Sequence, residues 1–159
     1  MVRFVNRPPS LLTEALQANL LRLQTEWETV HTSRNRDAIF QYLTAVFEIV
    51  MVWAKEGKAV KRAYRALHLR GYSSVREPEP FAAIILCTSD PEKADYRTRS
   101  KWSRVLRYVA EYKDLDEPLG DFIKRKGGLN RCAERYARRL GQDVPTAREK
   151  PWKFVVELS

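Results

Sequence analysis

The run AIFQYLTAVFEIVMVWAKEG, residues 38 to 57, decides the fold. Apolar side chains cover most of its circumference at helical spacing instead of forming one stripe, so the helix they build must be surrounded by other helices. Asp37 stands where an N-cap belongs, and Gly57 interrupts or bends the run. Glu48, inside the apolar part, reads as a charge that emerges at a groove or pairs with a basic helix. The most apolar window, Ile39 to Ala54, contains Gln41, Thr44 and Glu48. It is shorter than the ~20 residues of a bilayer-spanning helix. No charged and then apolar signal segment opens the sequence. The expectation is a soluble protein that is not secreted and has no membrane partner, cytoplasmic or held in the nucleoid or nucleus.

On the N-terminal side, Leu12, Leu16, Leu20, Leu23, Trp27 and Val30 recur at gaps of three and four, which predicts a helix capped by Ser10 with Glu14 in its first turn. On the C-terminal side, KAVKRAYRALHLRG predicts a third helix ending at Gly71. Val60, Ala63, Tyr64 and Leu67 lie on its apolar side, and Lys58, Lys61, Arg62 and Arg65 on the other. A loop containing Pro78 and Pro80 follows, with Glu77 and Glu79 adding negative charge. FAAIILCTS, 81 to 89, suits either a buried strand or a short buried helix, and its helical neighbourhood favours the helix. Asp90 before Pro91 marks the start of a further helix, broken near Asp95. That helix carries Trp102, Val105, Leu106, Val109 and Tyr112 in one sector and Arg97, Lys101, Arg104 and Arg107 in another.

These elements imply an all-α fold, a compact bundle of about five to seven helices with a C-terminal helical hairpin. Residues 1–141 would form one domain, and 142–159 a linker and tail or strand. The β-prone ends MVRFVN and KFVVEL predict a small ribbon, formed within one chain or between two copies as a homodimer. Cys87 and Cys132 form no CxxC pair and read as reduced core residues, while Trp152 in the polar tail is a candidate partner anchor.

Charge narrows the function. The 159-residue chain has 29 basic and 20 acidic side chains and a net charge of +9. The excess is blocked: residues 55–70 carry +5 and 97–139 carry +7, whereas 1–54 and 140–159 are neutral. Concentrated positive blocks favour polyanionic partners.

Within the second block lies DFIKRKGGLNRCAERYARRLG, 121 to 141, with seven cationic side chains in two amphipathic runs split by Gly127 and Gly128. Leu119, Phe122 and Ile123 line the first run, and Leu129, Cys132, Ala133, Tyr136 and Leu140 the second. The candidate nucleic-acid contacts are Lys124, Arg125, Lys126, Asn130, Arg131, Arg135, Arg138 and Arg139 here. To these are added Arg97, Lys101, Arg104 and Arg107 of the preceding helix and Lys61, Arg62 and Arg65 of the third. Three separate helices with cationic sides can merge into one surface. Gly127, Gly128, Cys132 and Ala133 have the spacing that resembles the opening of phage-repressor-type helix-turn-helix domains, so 118–141 is a helix-turn-helix-like candidate. The resemblance spans about twenty residues and stops where a proline-containing linker replaces the recognition helix.

Catalysis finds little footing. His31 and His68 are far apart, and no Walker loop, dinucleotide fingerprint or nucleophile pattern occurs. DLDEP, 114 to 118, holds three carboxylates and is the one faint hint of a metal-dependent nuclease, but Asp116 or Glu117 before Pro118 reads better as a helix cap. The expectation is therefore a DNA-binding accessory or regulatory factor without catalysis, cofactor or metal. Its alternatives are a helical adaptor or inhibitor on an acidic protein surface and an RNA-binding subunit of a nucleoprotein complex.

Overall fold

The computed structural model describes residues 11–73 and 76–141, and in these it contains seven α-helices and no strand. They are α1 (Leu11–Thr32), α2 (Ala38–Lys55), α3 (Ala59–Leu69), α4 (Pro80–Thr88), α5 (Tyr96–Tyr112), α6 (Leu119–Arg125) and α7 (Leu129–Gly141). The predicted chain-end ribbon, the Ser10 cap, the 142–159 linker and Trp152 lie outside the described residues.

Helix α2 is central. It packs against α1, α3, α4, α5 and α6, which is what its nearly all-round apolar surface requires. By length and composition it is also the one helix among the described residues that could cross a membrane, and nine of its residues are buried against its neighbours. Glu48 is exposed, as a charge on that helix must be to keep its water.

The upper core is an aromatic triangle joining three helices: Trp27 of α1, Tyr42 of α2 and Trp102 of α5, with ring centroids 5.2 to 6.4 Å apart. Tyr42 also meets Thr88 of α4 at 2.7 Å, and the Thr88 hydroxyl donates to the Ile84 carbonyl at 2.8 Å. Because Thr88 has a single hydroxyl proton, Tyr42 is the donor of the first bond. One phenol thus satisfies its polar end while tying α2 to α4.

Residues 81–89 are helical up to Thr88, with Pro80 at the first position and the Glu79 carboxylate accepting from the Phe81 and Ala82 amides at 2.6 and 3.3 Å. Cys87 and Cys132 are both buried thiols.

Five local expectations are corrected. Helix α5 begins at Tyr96, at the break expected near Asp95, and not at Pro91, because Asp90 closes a turn onto Glu92, Lys93 and Ala94, and Asp95 then caps the helix through the Thr98 amide at 2.8 Å. Asp37 holds the N-cap position of α2 without a side-chain cap and reaches Lys124 at 2.7 Å instead. Pro118 is the N-cap residue of α6, so neither Asp116 nor Glu117 caps it, and Glu117 is drawn to Arg125. Tyr64, assigned to the packing side of α3, is 52% exposed, and Tyr112 is exposed at the end of α5. Ala59 and Ala66 fill the α3 contact instead, since small side chains let it lie close to α4.

Candidate nucleic-acid interface

Helices α6 and α7 meet at Gly127 and Gly128, both with φ near +100°. The Gly128 amide donates to the Ile123 carbonyl at 2.9 Å and the Gly127 amide to Lys124 at 3.1 Å, which is the Schellman pattern that stops a helix. A Cβ at Gly127 would come within 3.1 Å of the Arg131 side chain, and its φ disfavours any other residue. The glycine pair therefore sets where α7 starts and which way it runs.

Helix α7 makes its most extensive contact with α5 and a smaller one with α6. Cys132, Ala133 and Tyr136 are buried in that contact, and Leu129 packs at its edge. Arg131, Arg135 and Arg138 point to solvent, and none of them pairs with a carboxylate among the described residues. Asn130 at the head of α7 is exposed, and Lys126 is half-buried over the Phe122 ring at 5.9 Å. On neighbouring α5, Arg97 is exposed, Lys101 is half-buried, and Arg104 donates to the Ser100 hydroxyl at 2.9 Å. The α5 and α7 cationic residues thus sit on two helices that pack together.

Other sequence-derived candidates are engaged inside the fold. Lys124 pairs with Asp37 at 2.7 Å, Arg125 makes a two-pronged contact with Glu117 at 2.8 and 2.9 Å, and Arg62 pairs with Glu56 at 2.9 Å. Arg65 donates to Thr13 at 3.3 Å, while Lys61 is exposed. Helix α3, which carries Lys61, Arg62 and Arg65, packs on α4, α2 and α1 and makes no comparable contact with α5 or α7.

Arg107 and Arg139 belong to a partly buried charge cluster between α4, α5 and α7. The Arg107 guanidinium lies 5.0 Å from the centre of the Tyr136 ring, and Arg139 pairs with Glu111. Burial pushes the Tyr136 phenol up to about 12, against the opposing pull of Arg107. The Tyr136 hydroxyl, Arg107 Nε and Arg139 Nη1 are buried and meet no hydrogen-bond partner among the described residues. Glu79, at the N-cap of α4, is pushed up to about 7 by burial, although Arg107 and the two amides it caps pull the other way. The sequence reading missed the roles of Glu79 and Glu111. Their signals were present: Glu79 stands before Pro80 in the cap-then-proline pattern, and Glu111 lies one helical turn after Arg107.

No group of three or more metal-ligating side chains occurs among the described residues. No protein-family model, curated protein or solved structure matches this chain.

Proposed function

We propose that the chain is a nucleic-acid-binding protein, a small accessory or regulatory factor that holds duplex DNA against the cationic face shared by α5 and α7. The observation that carries this reading is the exposed arginine triad Arg131, Arg135 and Arg138. It stands on a helix whose opposite side is anchored in the core, and it is free of intramolecular ion pairs among the described residues. An arginine that pairs with a carboxylate has spent its charge, whereas an unpaired exposed one keeps its forked donors for a phosphate. The neighbouring Arg97, Lys101 and Arg104 extend the positive field, and the double-glycine turn sets the angle at which α7 is presented. The helix-turn-helix-like reading of 118–141 is the finer part of this proposal: the leading residues Asn130 and Arg131 would then face base edges and the later arginines the backbone.

No chemical step and no metal is needed for such binding. The test is a mobility-shift titration of the full chain with random duplex DNA, duplex RNA and single strands, run at several salt concentrations and repeated in chelator. Binding to duplex DNA that weakens steeply with salt and ignores chelator is expected. Absence of binding to all of these at low salt would overturn the reading.

A further inference from the structure

Beside α2 lies a groove of about 1240 Å³ between the second half of that helix, the end of α5 and the loop into α6. Its floor is apolar, with Phe47, Met51 and Ala54 from α2 and Leu119 from α6. At its margin Leu115 is 92% exposed and Val52 is 54% exposed, bare surface that water disfavours. Neither residue is explained by the core or by the proposed nucleic-acid face.

The charges along this wall identify what covers it. Glu48, Val52 and Lys55 are all exposed, all line the groove, and lie at helical spacing along one stripe of α2, with half-buried Met51 beside them. Neither Glu48 nor Lys55 makes an ion pair among the described residues. The stripe is complementary to itself when reversed. If α2 meets a second α2 running antiparallel, with the two-fold axis between residues 51 and 52, Met51 falls opposite Val52 and Glu48 opposite Lys55, twice by symmetry. A symmetric dimer requires such a patch, in which each charge finds its opposite on an identical surface.

We infer that this groove is a homodimer interface, in which α2 packs antiparallel on α2 of a second copy around Met51 and Val52, flanked by Glu48–Lys55 pairs and closed by Leu115. The inference stands independently of the nucleic-acid reading. It also differs from a dimer built through the chain ends, because every residue it uses lies on α2 or in the α5–α6 loop.

Sedimentation equilibrium of the full chain over a range of concentrations tests it. The unmodified protein is expected to be a dimer. Glu48→Lys sets two cations opposite each other in both symmetric pairs and should weaken association about tenfold or more; Lys55→Glu should do the same with two anions. The two substitutions together restore the pairs in reverse and should recover most of the affinity, which a merely disruptive change would not do. Val52→Asp should leave a monomer with full helical circular dichroism, since the side chain is exposed and the core is untouched. A chain that stays monomeric at every concentration overturns the inference, as does a dimer indifferent to Glu48→Lys and Val52→Asp. A double variant no tighter than the single ones overturns it too, and so does a dimer that survives these changes but disappears when residues 142–159 are removed.

Discussion

Two arginines one residue apart on α7 have opposite fates. Arg138 is exposed and pairs with no carboxylate among the described residues, whereas Arg139 turns inward, pairs with Glu111 and lies in the cluster that includes Arg107 and Tyr136. The first is available to a polyanion; the second helps hold the helix that presents it. A count of basic residues along the helix treats the two alike, although only one contributes charge to a free surface. The same contrast separates Arg131, Arg135 and Arg138 from Lys124 and Arg125, which stand in the basic run KRK and yet are held by Asp37 and Glu117.

The comparison breaks most severely at Tyr136. Replacing this buried ring with Ala removes the floor under Arg107 and the anchor of α7 against α5, at a cost of about 3–5 kcal/mol in urea unfolding. Arg139→Ala should destabilise by about 2 kcal/mol because it empties half of a partly buried ion pair, while Arg138→Ala should change stability by less than ~0.5 kcal/mol. Equal stability effects from the two would erase the distinction drawn between them.

Glu79 gives the inner cluster a pH signature. Its carboxyl rises from 4.5 in the unfolded chain to about 7 when folded, so the native state holds its proton more tightly. Stability from this group is fully present below about 4.5 and declines as pH rises through about 7. The total is at most about 3 kcal/mol. Glu79→Gln should flatten that part of the pH profile, and a profile unchanged by the substitution would remove Glu79 as its source.

The outer face should respond to salt in place of pH. Exchanging Arg131, Arg135 and Arg138 for Gln should leave unfolding unchanged and reduce the slope of log affinity against log salt by roughly 0.9 for each phosphate no longer neutralised. The matching change at Arg97, Lys101 and Arg104 sharpens the comparison. If both triads lower the slope but only the α7 triad alters sequence preference, the double-glycine turn orients a reading helix. The smallest effect is expected at Glu134, the one acidic residue of α7, which is exposed among the arginines. Glu134→Gln should tighten binding only about two- to threefold by removing one like-signed repulsion.

Much of the helical framework is legible in the amino-acid sequence. The gaps between Leu16, Leu20, Leu23 and Trp27 place them on one face of α1, and all four are buried. Gly71 and Gly127 end their helices with positive φ, because a C′ residue in that region favours glycine. The same pattern reasoning misplaces the start of α5 and the cap of α6, where several candidate caps stand close together. Asp90 and Asp95 both precede helix-compatible residues, and only the turn hydrogen bonds distinguish them.

Periodicity by itself determines that the described part of the chain is helical and that α2 lies at its centre, since both follow from spacing at 3.6 residues per turn, and the order of charges alone gathers the positive excess in two blocks. Which arginines remain free was decided only by tertiary structure. Lys124 meets Asp37 across 87 residues of chain, and Arg139 meets a carboxylate on a different helix. An ion pair depends on distances of a few ångströms, and those are set by how the apolar faces pack, not by where the charges stand in sequence.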